Sequence, residues 1–157
     1  MDKLSTRPAQ AGDIHTLADY WYDRMALRQQ VIGGPTLSSA DLQAWRSQAL
    51  AWLGDEQTSF LVVTSGDEVL GGACVKLEGE SAALLAWVLD LHLRLGLSGA
   101  GQRLLADVLA LLRMHGARNL FLPSPQGLAV EEAFWRAVGA RPVAQGWLLL
   151  LDGGEVC

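Results

Sequence analysis

Residues 96–101 read GLSGAG, a stretch with three glycines and no charge that separates LLAWVLDLHLRL (84–95) from QRLLADVLALLRMHG (102–116). The first flanking run is typical of a strand, and the second carries apolar residues at helical spacing. A glycine turn at such a junction is either a plain tight turn or an anion cradle. The cradle arises because the first N–H groups of a helix lack internal partners and glycine lets a phosphate approach them.

Two well-known phosphate cradles are excluded by the residues around this turn. A P-loop needs Gly-Lys-Ser or Gly-Lys-Thr, whereas Gly101 is followed by Gln102 and Arg103. A dinucleotide fold needs G-x-G-x-x-G in its opening βαβ unit, whereas the spacing here is G-x-x-G-x-G and lies late in the chain. Neither ATP hydrolysis nor an NAD site is expected.

Composition narrows the class of protein further. The 157 residues, half of them apolar and 18% charged, predict one folded domain over 1–157. A net charge of -5 argues against nucleic acid and anionic membranes as partners. The N-terminus lacks the apolar core of a signal peptide, so we expect a cytoplasmic protein. Cys74 and Cys157 show neither metal nor disulfide spacing, and no metal site is expected.

Apolar periodicity and turn residues predict the element order β-α-α-β-β-β-α-β-α-β-β. Asp13 is expected to cap the first helix, and Ser38 to form a capping box with Asp41 at the second. Helices are predicted at 14–28, 39–53, 102–114 and 129–138. Strands are predicted at 3–7, 60–64, 69–77, 82–93, 119–122, 141–143 and 147–151. The helix at 102–114 makes a βαβ crossover between parallel strands, so the fold class is α/β with a mixed, α+β sheet.

This order and the glycine turn together resemble the GNAT superfamily of acetyl-CoA-dependent N-acetyltransferases, over nearly the whole chain from RPAQAGDIHTLADYW (7–21) to the terminal hairpin. The family signature is Arg or Gln, two residues, Gly, one residue, Gly or Ala, then Leu-Leu. Gly99, Gly101, Leu104 and Leu105 match it, while Gly96 stands at the Arg or Gln position. A second segment, AFWRAVGA (133–140), is similar to the family helix that ends in an aromatic, three residues and Gly.

The resemblance implies acetyl-CoA as the cosubstrate. Its pyrophosphate would lie on the helix N-terminus and its pantetheine arm along the preceding strand, with Arg94 and Arg103 close enough to add positive charge. The residues that the resemblance places at the cofactor are Leu91, His92, Leu93, Gly96, Leu97, Ser98, Gly99, Ala100, Gly101 and Gln102.

The chemistry needs a proton acceptor, because a protonated amine has no lone pair and an alkylamine has a pKa near ~10.4. Family members often carry a carboxylate at positions that fall here on Leu85 and Trp87, and neither can titrate. Asp90 and His92 are the only ionisable residues between 82 and 93 and are therefore the candidate catalytic residues. Strict alternation puts them on the strand face opposite Trp87, Leu89 and Leu91, unless a bulge intervenes.

The general-acid position is also altered, since Trp135 stands where the family often has the Tyr that protonates the leaving thiolate. An acting phenol would have to be Tyr20 or Tyr22. The expected function is an N-acetyltransferase acting on an amine of a small molecule or peptide that enters near the first two helices, and a homodimer is left open. The alternative is a catalytically weak or inactive module that binds acyl-CoA as a sensor or interaction domain.

Overall fold

The computed structural model describes residues 3–80, 84–94, 98–123, 129–144 and 146–151, with Ser98 described by its backbone alone. The helices are α1 (Ile14–Ile32), α2 (Ser39–Leu53), α3 (Ser98–Met114) and α4 (Ala129–Ala137). The strands are β1 (Leu4–Pro8), β2 (Thr58–Ser65), β3 (Glu68–Glu78), β4 (Leu85–Leu93), β5 (Asn119–Pro123), β6 (Arg141–Val143) and β7 (Gly146–Leu150). The predicted element order is confirmed. Residues 82 and 83 of the predicted central strand lie outside the described residues.

The seven strands form one mixed sheet in the order β1-β2-β3-β4-β5-β7-β6. The β4–β5 pair is parallel and the other neighbours are antiparallel, as the βαβ crossover through α3 predicts. The sequence therefore predicts both the α/β class and the single parallel step. No helix among the described residues is both apolar and long enough to cross a bilayer.

Helices cover both faces of this sheet. On one face, Leu104 of α3 and Trp135 of α4 pack against Val63 and Val75 in one apolar core. On the other face, α1 and α2 pack against the sheet in a second core that contains Leu17, Ala18, Trp45, Ala49, Val62 and Cys74. Val62 and Val63 are adjacent in β2, yet they lie in different cores. Successive side chains of a strand point to opposite faces of the sheet.

Two predicted helix boundaries are wrong. Helix α1 continues to Ile32 rather than stopping near Arg28, and it ends where Gly33 takes a φ of 82° and donates its N–H to Gln29. Helix α3 begins at Ser98 rather than Gln102, so its first turn includes residues 99–101. Part of the apparent glycine turn is therefore helix.

The two predicted caps have different outcomes. The capping box between Ser38 and Asp41 is confirmed, with Ser38 accepting the Asp41 N–H. Asp13, however, accepts no N–H from α1 through its side chain. Its carboxylate accepts instead from the Gln10 N–H and from Arg7, because a 3₁₀ turn at Ala11–Asp13 precedes the helix.

The end of β4 packs closely against Gly71 of β3, and this contact predicts the effect of a substitution at Gly71. A Cβ at this position would lie 2.5 Å from the backbone oxygen of His92 and 2.6 Å from Cδ2 of Leu93. Because that oxygen is backbone, it can move only with the strand. We expect Gly71→Ala to lower the free energy of unfolding by about 2–3 kcal/mol, which thermal denaturation will measure. The control Gly12→Ala, whose Cβ meets nothing within 4 Å, should leave Tm nearly unchanged, and equal Tm values would contradict this close packing.

Candidate active site

Strands β4 and β5 part inside the sheet. Their ladder within the described residues consists of two pairs, Ala86 with Leu120 and Trp87 with Phe121. Val88 and Leu122 are the next strand residues, yet no ladder pair joins them. Beyond Trp87, β4 stays paired with β3 up to Leu93. Beyond Trp87, the edge of β4 on the β5 side has no ladder partner among the described residues, and we call this unpaired region the opening.

A bulge at Leu89 decides which face Asp90 and His92 occupy. Cys74 of β3 pairs with Asp90, and the next residue, Val75, pairs with Val88, so Leu89 is the extra residue. Leu89 packs on the α1–α2 core, and Asp90 and His92 also meet α2 there. The prediction from strict alternation, which placed Asp90 and His92 opposite Leu89, is thus wrong. Leu91 does lie on the opposite face, in the core beside α3.

Asp90 is an ionised carboxylate that is largely enclosed, with 15% of its side chain exposed. Trp45 of α2 donates its indole N–H to Oδ2 at 2.7 Å, and the Leu91 N–H donates to Oδ1 at 3.0 Å. Burial opposes the charge, but the adjacent His92, the hydrogen bonds from His92 and Trp45, and the positive charge of Arg24 together lower the pKa of Asp90. Trp45 is thus a core residue of α2 and a hydrogen-bond donor at once.

His92 lies between two charged groups. Its Nε2 is in close contact with Oδ1 of Asp90, and its Nδ1 lies 3.1 Å from a terminal nitrogen of Arg24. The ring packs edge-on against Trp45, and 3% of the residue is exposed. Because a guanidinium only donates, Nδ1 accepts from Arg24 and the ring proton lies on Nε2 beside Asp90.

The sequence places Arg24 near the acceptor but does not predict its contacts with this site. Besides His92, Arg24 donates to the backbone oxygen of Leu91 and, through Nε, to Oε1 of Glu131 on α4. Arg24 and Glu131 are 22% and 15% exposed, so the ion pair is largely enclosed. Their sequence separation of 107 residues leaves no local signal that could have connected them.

The predicted cofactor residues gather around the opening and the start of α3. Leu91, His92 and Leu93 end β4, while Ser98, Gly99, Ala100, Gly101 and Gln102 form the first turn of α3. Gly96 and Leu97 lie outside the described residues. The two described glycines differ. A Cβ at Gly99 would meet nothing within 4 Å, whereas one at Gly101 would lie 2.6 Å from Cδ1 of Leu93. Gly99 leaves room at the helix start, and Gly101 lets α3 approach β4.

The other predicted contributors have partners of their own. Arg94 pairs with Glu68, and Arg103 pairs with Asp107 on the same helix. Trp135, at the general-acid position, is 5% exposed and lies in the core beside α3.

A small cavity lies beside the end of β4. Its volume is about 280 Å³, and Tyr20 and Asp23 of α1 line it together with Leu93 and Arg94. The Tyr20 hydroxyl donates to the Val69 oxygen at 2.7 Å. The pKa of this phenol is raised, and burial is the main cause. Tyr20 and Asp23 lie on the first of the two helices between which the sequence predicts that the acceptor enters.

Comparison with known proteins identifies the fold in which this site lies. No protein-family profile and no curated protein matches the sequence. The structure of the PaiA N-acetyltransferase from Thermoplasma acidophilum in complex with coenzyme A is similar with a TM-score of 0.73 and 16% identity, covering 93% of this chain and 96% of that one. A GNAT-family acetyltransferase from Staphylococcus aureus Mu50 is similar with a TM-score of 0.72 and 9% identity, covering 96% and 100%.

The protein has the GNAT fold. The same fold occurs in a transcriptional regulator from Bacillus halodurans C-125, which has a TM-score of 0.74 and 14% identity over 92% of this chain and 97% of that one. At these identities the likeness concerns the fold. The predicted GNAT-like architecture is thereby confirmed, and the opening beside β4 lies within it.

The lowered pKa of Asp90 predicts a pH-dependent contribution to stability. Since the folded-state pKa lies below the unfolded value of about 4, the contribution is present above that pH and is lost as pH falls through the folded-state pKa. We expect Asp90→Asn to lower the free energy of unfolding by about 2 kcal/mol at pH 7 and the gap to wild type to narrow in acid. Denaturant titrations at pH 7 and in acid will measure the difference in the free energy of unfolding between the two proteins. Asp67→Asn, at an exposed turn, should show neither effect, and a gap that stays constant with pH would contradict the ionised Asp90.

The two glycines of α3 form a matched pair for a further prediction. Each would gain a similar helix propensity on replacement by Ala, but only at Gly101 would the new Cβ displace Leu93. We expect Gly101→Ala to be about 1–3 kcal/mol less stable than Gly99→Ala in chemical denaturation. Equal stability of the two variants would show that α3 does not pack on Leu93 as described.

Proposed function

We propose that this protein is an N-acetyltransferase that transfers the acetyl group of acetyl-CoA to an amine of a small molecule or peptide. The observation that carries the proposal is the opening between β4 and β5, with a buried Asp90–His92 pair beside it. The GNAT fold supports it, as does the coenzyme A bound by the Thermoplasma acidophilum protein. Acetyl transfer to an amine needs a place for the cosubstrate and a group that accepts a proton, and the protein offers both.

The residues that would hold acetyl-CoA are the first turn of α3 and the open edge of β4. The free N–H groups and dipole of a helix N-terminus suit a pyrophosphate, and the space at Gly99 leaves that backbone accessible. Directly after β4, the Arg94 N–H donates to the Leu70 oxygen of β3. Successive residues of a strand direct their backbone N–H and C=O groups to opposite sides, so the backbone groups of Leu91 face the opening. Those groups would pair with the amides of the pantetheine arm.

The proposed proton acceptor is Nδ1 of His92, with Asp90 as its positioning residue. Bound acetyl-CoA supplies a thioester, whose carbonyl carbon takes the bond to the amine nitrogen while the carbon–sulfur bond breaks. The proton lost by the amine passes to His92, directly or through water, and Asp90 stabilises the imidazolium that forms. Asp90 is less suited to take the proton itself, because its lowered pKa makes it a weak base. With Trp135 in the core, water protonates the leaving thiolate.

The acceptor amine is proposed to bind in the cavity beside Leu93. Its volume of about 280 Å³ suits a small amine or the end of a longer chain. Asp23 supplies a negative charge that attracts a protonated amine before the proton is lost. Because the cavity adjoins the last residue of β4, it lies next to the strand proposed to bind the pantetheine arm.

A second candidate is a module that binds acyl-CoA without turnover. Either candidate is proposed to be cytoplasmic. The burial of Trp135 at the general-acid position favours it, as does the regulator from Bacillus halodurans C-125 with the same fold. The two candidates predict the same cofactor affinity and differ in turnover alone.

Acetyl-CoA binding and turnover test the proposal together. At 100 times Kd, the ligand should stabilise the fold by about 2.7 kcal/mol, which a thermal scan will show. Release of free coenzyme A in the presence of a panel of amines will measure turnover. We expect His92→Gln to lower kcat by about 10²–10⁴-fold with little change in Kd, whereas His115→Gln, on the exposed end of α3, should behave as wild type.

The outcomes separate the candidates. No thermal shift at millimolar acetyl-CoA would overturn both of them. Binding without turnover on any amine would favour the module. Turnover that survives unchanged in His92→Gln would keep the enzyme and remove His92 from the mechanism.

A further inference from the structure

The ion pair between Arg24 and Glu131 passes through the plane of the sheet. Helix α1 packs on the face with Leu17 and Ala18, and α4 packs on the opposite face through Trp135. Side chains from helices on opposite faces can meet where neighbouring strands are apart or beyond the end of a strand. Strands β4 and β5 part at this place, and the contact of Arg24 with the Leu91 oxygen puts the guanidinium in that opening.

The guanidinium occupies the backbone site that the pantetheine arm is proposed to use. The oxygen of Leu91, which faces the opening, accepts from Arg24, and the N–H of Leu91 donates to Asp90. A buried backbone group needs a partner, and these two side chains provide it in the free protein. An incoming amide must compete with these side chains for the oxygen and the N–H of Leu91.

The same guanidinium also covers the proposed proton acceptor. Nδ1 of His92 accepts from Arg24 at 3.1 Å, and Nε2 faces Asp90. Both ring nitrogens are therefore engaged while Arg24 stays in the opening. Glu131 holds Arg24 there, since its carboxylate is the anionic partner of the guanidinium on the far side of the sheet.

We propose that Arg24 is a latch that acyl-CoA must displace and that its displacement uncovers Nδ1 of His92. The inference rests on the proposed function and adds its regulation. Binding of the pantetheine arm and availability of the base become coupled, because one side chain blocks both. The cosubstrate would accordingly bind before the amine can react, and the free protein would keep its base covered.

Calorimetric titration with coenzyme A, which cannot react, tests the latch. Removal of the competing side chain should raise the affinity, so we expect Arg24→Ala to bind coenzyme A roughly tenfold more tightly than wild type. Glu131→Gln, which loosens the anchor and keeps Arg24, should tighten binding severalfold. Glu132→Gln makes the same change of charge at the next position of α4 and should bind as wild type.

A measurement on the unaltered protein covers the case in which Arg24→Ala does not fold. Nitrogen-15 spectra of the histidine rings, assigned with His15→Gln and His115→Gln, will report Nδ1 of His92. Saturation with coenzyme A should shift this resonance toward that of an imidazole nitrogen without a guanidinium donor. An unchanged resonance in the saturated protein would overturn the latch.

The titrations also distinguish the latch from the function on which it rests. Equal affinities of wild type, Arg24→Ala, Glu131→Gln and Glu132→Gln would overturn the latch and leave the cofactor site intact. No binding by any of these proteins at millimolar coenzyme A would overturn the proposed function and the latch with it.

Discussion

In the part of the chain that the structure describes, the hydrogen-bonded ladder between β4 and β5 stops after Trp87 and Phe121, and this early stop leaves Leu91 facing an opening inside the sheet. The sheet continues on both sides, because β4 stays paired with β3 and β5 stays paired with β7. Groups from both faces can therefore meet within the sheet. The contacts of Arg24 with Glu131 and with the Leu91 oxygen lie at that separation.

The fold was largely predictable because its signals are local. Apolar periodicity and turn residues predict the order of elements and the parallel step across α3, and the structure confirms both. The two wrong predictions, the end of α1 and the start of α3, both lie beside glycines. Residues 29–32 contain no breaker, so α1 runs on until Gly33 adopts a positive φ. Gly99 and Gly101 are tolerated inside the first turn of α3, where Gly101 also relieves contact with Leu93.

The candidate site was predictable only in part. Asp90 and His92 stood out as the ionisable residues of an apolar strand, and the structure brings them into contact. No residue pattern marks Leu89 as a bulge. The alternation of side chains along a strand therefore could not predict that Asp90 and His92 face α2. Trp45, Arg24 and Glu131 are distant in sequence and reach the site through tertiary packing. A tryptophan at a core position of a helix gives no sign that its N–H will meet a buried carboxylate.

Charged groups in this opening are difficult to explain as a source of stability. A buried ion pair loses hydration that its attraction often fails to recover, and apolar replacements of similar volume are frequently as stable. An apolar side chain in the same opening would, however, resist displacement, because its return to water costs about 25 cal/mol for each Å² exposed. Arg24 and Glu131 regain hydration when they separate. A charged pair can thus fill the opening of the free protein and still leave it at modest cost, whereas a closed apolar core cannot. This property suits the proposed entry of a long, flexible ligand.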